Sequence, residues 1–385
     1  MIWQRAKLKY VTRLIYGDPL PRIDMQEGYV REGSVKVFGS NGTFASCHQA
    51  NTKAPAIVIG RKGSYGKINW SQESCFASDT TFFVDETTTK QHLRWLFYLL
   101  QTLNLDQGTD EAAVPGLNRD DAYEKEVLVP PLVQQIAIAN YLDHETAKID
   151  NLISAKERLL ELLAEKRHVI INDAVTHGLK KNPALNKVDI PWLDRIPEHW
   201  RAERGRYIFI QSSLPVREND EIVTCFRDGQ VTLRRNRREE GFTNAIQELG
   251  YQGIRSGQLV LHSMDAFAGA IGVSDSDGKC SPEYIICNPA NGSVFNPYYA
   301  HLLRVMALQG FVQASCPAVR ERAPRIRFSD LADMLLPVPP VNEQEDICLH
   351  IATKTGIIDH LKNVALKTIQ LLQERRTALI TAAVT

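Results

Sequence analysis

Residues 129–176 occur twice in this chain, and a repeat of that length limits the fold to something with two equivalent halves. Pro130, Pro131, Gln135, Ile138, Thr146, Asp150, Leu152, Leu162, Leu163, Glu165, Arg167, Ile171, Ala174, Val175 and Thr176 recur 209 positions later, without a gap. The second set is Pro339, Pro340, Gln344, Ile347, Thr355, Asp359, Leu361, Leu371, Leu372, Glu374, Arg376, Ile380, Ala383, Val384 and Thr385. Two unrelated helices would share Leu and Glu by chance. They would not also share a Pro-Pro start, one Asp and an Ala-Val-Thr end in register, so the repeat is an internal duplication.

Each copy opens on two prolines, which enter a helix from a rigid extended segment. Apolar residues then recur at threes and fours, in a narrow seam of coiled-coil type. Ile149, Leu152, Leu159, Leu163 and Ile170 mark it in the first copy, and Ile358, Leu361, Leu372 and Leu379 in the second. Lys156, Lys166 and Arg375 interrupt it. A helix over residues 145–175 would run roughly 45 Å at about 1.5 Å per residue, more than one small domain needs, so each copy is expected to pair with the other as antiparallel spacer helices.

The duplication extends into the flanking residues once short insertions are allowed. Trp3 and Tyr10 match Trp200 and Tyr207 at an offset of 197, while Gly66, Ile68 and Ser78 match Gly269, Ile271 and Ser281 at 203. Strand-like runs at 56–60 and 80–84 with a helix at 90–103 correspond to runs at 259–262 and 284–287 with a helix at 297–309. The expected fold class is α/β of the α+β kind: two globular domains separated by two long antiparallel coiled-coil helices, with a pseudo-twofold repeat. The blocks are a first domain at 1–129, a spacer helix at 130–176, a linker at 177–199, a second domain at 200–338 and a second spacer helix at 339–385.

Composition excludes several classes. The 45 basic and 45 acidic side chains cancel, so any case for nucleic-acid binding rests on local patches. No run approaches the roughly 20 apolar residues of a membrane span, and the basic, broken start does not read as a signal peptide, so a cytoplasmic protein is expected. Seven scattered cysteines form no C-x-x-C pair, which points to buried thiols and away from a disulfide frame or zinc site.

The loop after the 56–60 strand places Arg61, Lys62 and Lys67 among glycines, with Ser64 and Tyr65 between them, where a polyanion could be approached closely. Its spacing is not that of a phosphate-binding Walker loop. Its counterpart, 263–269, lacks the cations. Further candidates for DNA contact are Arg119, the run Arg234, Arg235, Arg237 and Arg238, and the group Arg320, Arg322, Arg325 and Arg327, since Arg offers bidentate contacts to guanine and phosphate. Asn296-Pro297-Tyr298-Tyr299 lacks the second proline of the amino-methyltransferase site and reads as a helix start. No catalytic constellation and no metal-ligand spacing emerges.

Several stretches together resemble the DNA-specificity subunit of type I restriction-modification systems. They are Val-Pro-Pro-Leu-Val-Gln-Gln-Ile-Ala-Ile-Ala-Asn-Tyr-Leu-Asp from Val129, Lys148-Ile149-Asp150, Glu165-Lys166-Arg167, Asp189-Ile190-Pro191-Trp192, Ile196-Pro197-Glu198-His199-Trp200, Ile59-Gly60-Arg61-Lys62-Gly63-Ser64 and His262-Ser263-Met264-Asp265. The second helix departs from the first at Glu343-Gln344-Glu345-Asp346, where the first has Val133-Gln134-Gln135. The resemblance implies a non-catalytic subunit in a restriction system acting through DNA methylation. Each globular domain would be a target-recognition domain reading one half of an asymmetric bipartite sequence in double-stranded DNA, and the helices would set the gap. It also implies two methyltransferase subunits docked on the helices and further restriction or motor subunits. S-adenosylmethionine, ATP and Mg would then sit on those partners, with no cofactor on this chain. The competing expectations are a stand-alone DNA methyltransferase or nuclease with an unrecognised site, and a coiled-coil scaffold that binds no DNA.

Overall fold

A computed structural model describes residues 3–19, 26–27, 34–107, 116–237, 249–315 and 325–385. The chain divides into two units: unit 1 is Met1–Arg158 with Ala365–Thr385, and unit 2 is Leu159–Val364. The boundary therefore falls inside both long helices, so each unit contains segments of both.

In unit 1 the central strand, Ala56–Gly60, is buried along its whole length. Its Ile-Val-Ile run suits a strand covered on both faces. Antiparallel neighbours are Ile68–Ser71 on one side and Thr81–Val84 on the other, with Ile15–Tyr16 at the outer edge beside Thr81–Val84. Side chains alternate as strand geometry requires. Ile57, Ile59, Phe82 and Val84 enter the larger core, while Ala56, Val58 and Phe83 enter a second one with Phe38, Cys75 and Ala77. Helix Leu93–Leu100 closes the larger core with Trp95, Leu96 and Leu99. So do Ala139 and Leu142 of the first long helix, Leu132–His177, and Ile380 and Val384 of the second, Val341–Val384. The start of one helix lies beside the end of the other, so within the unit the two segments run antiparallel.

Unit 2 repeats this plan. Leu259–His262 is flanked by Ile271–Val273 and Tyr284–Pro289, with Phe209–Gln211 at the outer edge. Helix Asn296–Leu308 takes the place of Leu93–Leu100. Ala174 and Val175 from the end of the first long helix share its core with Ile347 and Ile351 from the start of the second, again antiparallel. Even the strand that ties each domain to its helix repeats in register. Gln4 pairs with Val129 in unit 1, and Arg201 with Val338 in unit 2.

The duplicated polar residues hold equivalent joints. Gln135 is 1% exposed; its Oε1 accepts from the backbone N of His92 at 2.8 Å, and its Nε2 donates to the carbonyl of Pro130 and to Gln91. Gln344, fully buried, does the same with Phe295 N at 2.8 Å, Pro339 O and Ser293 O. The indole of Trp3 donates to Gln134 at 3.0 Å, and that of Trp200 to Glu343 at 3.1 Å. Glu343 also meets His199 at 2.7 Å, which accounts for the carboxylate in the second copy. In unit 1 Arg376 donates to Asp150 at 2.9 Å, and in unit 2 Arg167 donates to Asp359 at 2.6 Å. The Asp of each copy is thus met by the Arg of the other. These pairs are half in water, where such contacts are worth about 0.2–1 kcal/mol.

Two expectations need correction. The seam includes Ile149, Leu163 and Ile358, with Ile170, Leu372 and Leu379 half-buried, but Leu152 and Leu361 are 52% and 45% exposed and Leu159 is exposed too. Ile153 and Leu160, one residue on from Leu152 and Leu159, turn inward instead. Of the expected interruptions, Lys156 is half-buried, while Lys166 and Arg375 lie outside and their neighbours Arg167 and Arg376 face in. The stretch 177–199, expected as a linker, contains the hairpin Leu185–Ile190 and Leu193–Pro197. Its Ile190 and Ile196 join Trp200 in the unit 2 core, so it is part of that unit.

Candidate nucleic-acid interface

The turn joining Ala56–Gly60 to Ile68–Ser71 is residues 61–67, and the backbone fixes it closely. Gly66 N donates to Gly60 O, Arg61 N to Thr80 O and Leu117 N to Arg61 O. Gly66 has φ +76, and a Cβ there would lie 2.3 Å from the backbone N of Asp106. Only glycine fits. The matching Gly269 has φ +92 and would bring a Cβ within 2.9 Å of Arg227 O, so the two copies share the left-handed backbone while different neighbours crowd each glycine.

This turn assembles a cationic surface. The guanidinium of Arg61 lies 5.0 Å from the ring centre of Tyr16, and that of Arg119 lies 4.8 Å from the same ring. Arg61 donates to the carbonyl of Asp79 at 2.7 Å, and the Nε of each arginine is buried without an acceptor. Tyr16 is 45% exposed and stands 4.8 Å from Phe82. Lys67 donates to Asn41, and Lys62 is exposed beside its backbone bridge to Gly116. Among the described residues none of these four cations meets a carboxylate. Ser64 is exposed, and Tyr65 packs against the core.

Unit 2 places a different set on the same scaffold. Its turn, residues 263–269, presents Asp265, which Arg227 meets at 2.8 Å and His262 at 3.4 Å. Burial holds His262 below the usual imidazole range, against the pull of Asp265 and Glu283. The candidate arginines here are largely paired. Arg235 meets Glu221 at 2.7 Å, Arg237 meets Asp228 at 2.7 Å over the ring of Phe226, and Arg325 meets Glu283 at 2.7 Å. Arg234 donates to Thr224, and Arg327 precedes the short helix Phe328–Asp333. Arg238, Arg320 and Arg322 lie outside the described residues. Asn296 begins its helix with Nδ2 on Gly257 O, and Tyr298 and Tyr299 are buried in the core.

The structure thus brings Arg61, Lys62, Lys67 and Arg119 to the neighbourhood of one turn, and sets Arg235, Arg237 and Arg325 of unit 2 each against an acid. Tyr16 was missed from sequence. A lone Tyr before Gly17-Asp18 looks like loop punctuation, and only the fold sets it between two arginines. Among the described residues no cluster suited to a metal ion occurs and no helix is long and apolar enough to cross a membrane.

No family model matches the chain. Its sequence is similar to the type I restriction enzyme EcoBI specificity subunit of Escherichia coli, 21% identical over 337 residues, which are 80% of this chain and 68% of that one. The EcoDI specificity subunit of the same organism is 22% identical over 76% of this chain and 68% of its own length. Among solved structures, the HsdS subunit from Thermoanaerobacter tengcongensis aligns over 99% of this chain and 96% of its own with TM-score 0.50 at 13% identity. A chain from a study of complex assembly and conformational transition in the type I R-M system aligns over 99% and 97% with TM-score 0.67, also at 13% identity. These likenesses span both units, and the structural ones show the fold.

Proposed function

We infer that this chain, which belongs to the specificity-subunit family of type I restriction-modification systems, selects the DNA sequence on which such a complex acts. Each unit reads one half of an asymmetric bipartite target in double-stranded DNA. The observation behind this is a central four-stranded sheet repeated in the same order whose exposed turns differ: 61–67 offers cations beside the Tyr16 ring, while 263–269 offers an ion-paired Asp265. Identical turns would suit a symmetric target. Unlike ones suit two different half-sites, because base pairs present distinct donor and acceptor patterns in the major groove.

The long helices set the gap between the halves and dock methyltransferase subunits. Leucines left in water, Leu152 and Leu371 in unit 1 and Leu162 and Leu361 in unit 2, give such partners apolar surface to bury. The chain itself does no chemistry. S-adenosylmethionine, ATP and Mg belong to the methyltransferase and restriction or motor subunits.

Methylome sequencing of cells expressing this chain with its cognate methyltransferase tests the reading. A split, asymmetric methylated motif is expected, and exchange of residues 1–129 for those of a related subunit changes one half of it. An unchanged motif after the exchange refutes the assignment of readers. Stoichiometric S-adenosylmethionine binding by the isolated chain would instead indicate an enzyme.

A further inference from the structure

Charge pairing differs between the two units in a way that sequence similarity of the scaffold does not suggest. In unit 1, Arg61 and Arg119 flank Tyr16 with no carboxylate partner among the described residues, and Lys62 and Lys67 extend from the same turn. Each Nε–H is a buried donor with no acceptor, a costly arrangement that seating the guanidinium on a ring face offsets only partly. In unit 2, Arg227, Arg235, Arg237 and Arg325 each already meet a carboxylate at 2.7 or 2.8 Å.

The consequence follows from how DNA binding responds to salt. A free guanidinium that meets a phosphate displaces a condensed counterion from the duplex, and that release makes affinity salt-dependent. An arginine leaving a carboxylate for a phosphate exposes that carboxylate, which then recruits a cation of its own. Its net release is far smaller.

We propose that the Arg61–Tyr16–Arg119 clamp grips phosphate, and that Arg227, Arg235, Arg237 and Arg325 of unit 2, already ion-paired, add little counterion release. The proposal rests on the DNA-binding reading above. Tyr16 acts as a positioning residue: its ring seats both guanidinium groups at the edge of the sheet, and its exposed edge lies against the bound strand.

The test is equilibrium binding of the full-length chain to a fluorescent mixed-sequence duplex over a salt series. Removing one cation from a phosphate reduces the slope of log K against log salt by about 0.9. R61Q and R119Q are each expected to lower the slope by about that amount, while R61K keeps it. Y16L lowers the slope and Y16F does not, which separates loss of the ring from loss of the hydroxyl. R235Q and R237Q leave it unchanged. Circular dichroism melts matching the parent chain certify that each variant is folded. Unmoved slopes in R61Q and R119Q with binding intact, or equal losses in R235Q and R237Q, overturn the clamp alone. Absence of DNA binding by the parent chain at every salt concentration overturns the DNA-binding reading as well.

Discussion

Replacing Gln135 with Leu removes three hydrogen bonds at nearly constant volume, so the result isolates the polar joint from packing. His92 N and Pro130 O lose their bonds to the Gln135 side chain, while the amide of Gln91 can turn to solvent. A buried backbone group left without a partner costs about 1–3 kcal/mol, so two of them predict a loss of about 2–6 kcal/mol. A loss of about 2 kcal/mol is roughly a thirtyfold change in an equilibrium. Hydrogen exchange read by mass spectrometry is the right assay, because a chain of two units has no single unfolding free energy. Amides from His92 through Leu100 should exchange faster by at least that factor, with unit 2 unaffected. Gln344→Leu should produce the mirror result around Phe295. A change under about 0.5 kcal/mol at both sites, less than one ordinary hydrogen bond, would refute the view that the duplicated Gln locks domain to helix.

Three further outcomes concern groups away from the candidate interface. Burial beside Arg304 and Arg167 brings His301 down to about 4 from an ordinary 6.5. The unfolded chain therefore takes up a proton between those values that the folded chain refuses. Stability is full above pH 6.5 and falls as pH drops toward 4, by at most about 3 kcal/mol; His301→Gln should flatten this decline in pH-dependent melts, and an unchanged profile would refute the assignment. Burial pushes the thiols of Cys225, Cys280 and Cys287 up to about 12, so iodoacetamide at pH 8 should leave all three unmodified until the chain is denatured. A double-mutant cycle on Arg167 and Asp359 should give a coupling of about 0.2–1 kcal/mol, and the cycle on Arg376 and Asp150 should agree with it; a coupling in one pair only would contradict their equivalence.

What the sequence made legible was what repeats. The strands at 56–60 and 259–262, the helix starts near His92 and Phe295, and the positions of Asp150 and Arg167 in both copies all follow from period and offset. What stayed hidden depended on how neighbouring stretches fold back on one another. The run from Arg234 reads as a positive patch until Glu221 and Asp228 fold against it. Nor does periodicity alone separate Leu152 from Ile153, since a seam shifted by one residue fits the same pattern of threes and fours. The hairpin at 185–197 was obscured by its prolines, which are compatible with a short two-stranded ribbon at the surface.

Unit 1 owes part of its interior to Ile380 and Val384. During synthesis the amino-terminal reader therefore leaves the ribosome with one wall of its core still unmade, and it must wait in that state for about 250 further residues beyond its own last strand, Glu126–Val129. Unit 2 can close first, once Ile347 and Ile351 at the start of the second long helix have joined Ala174 and Val175. The order of folding thus runs against the order of translation, and the half of the molecule made earliest is the half that most needs protection from aggregation.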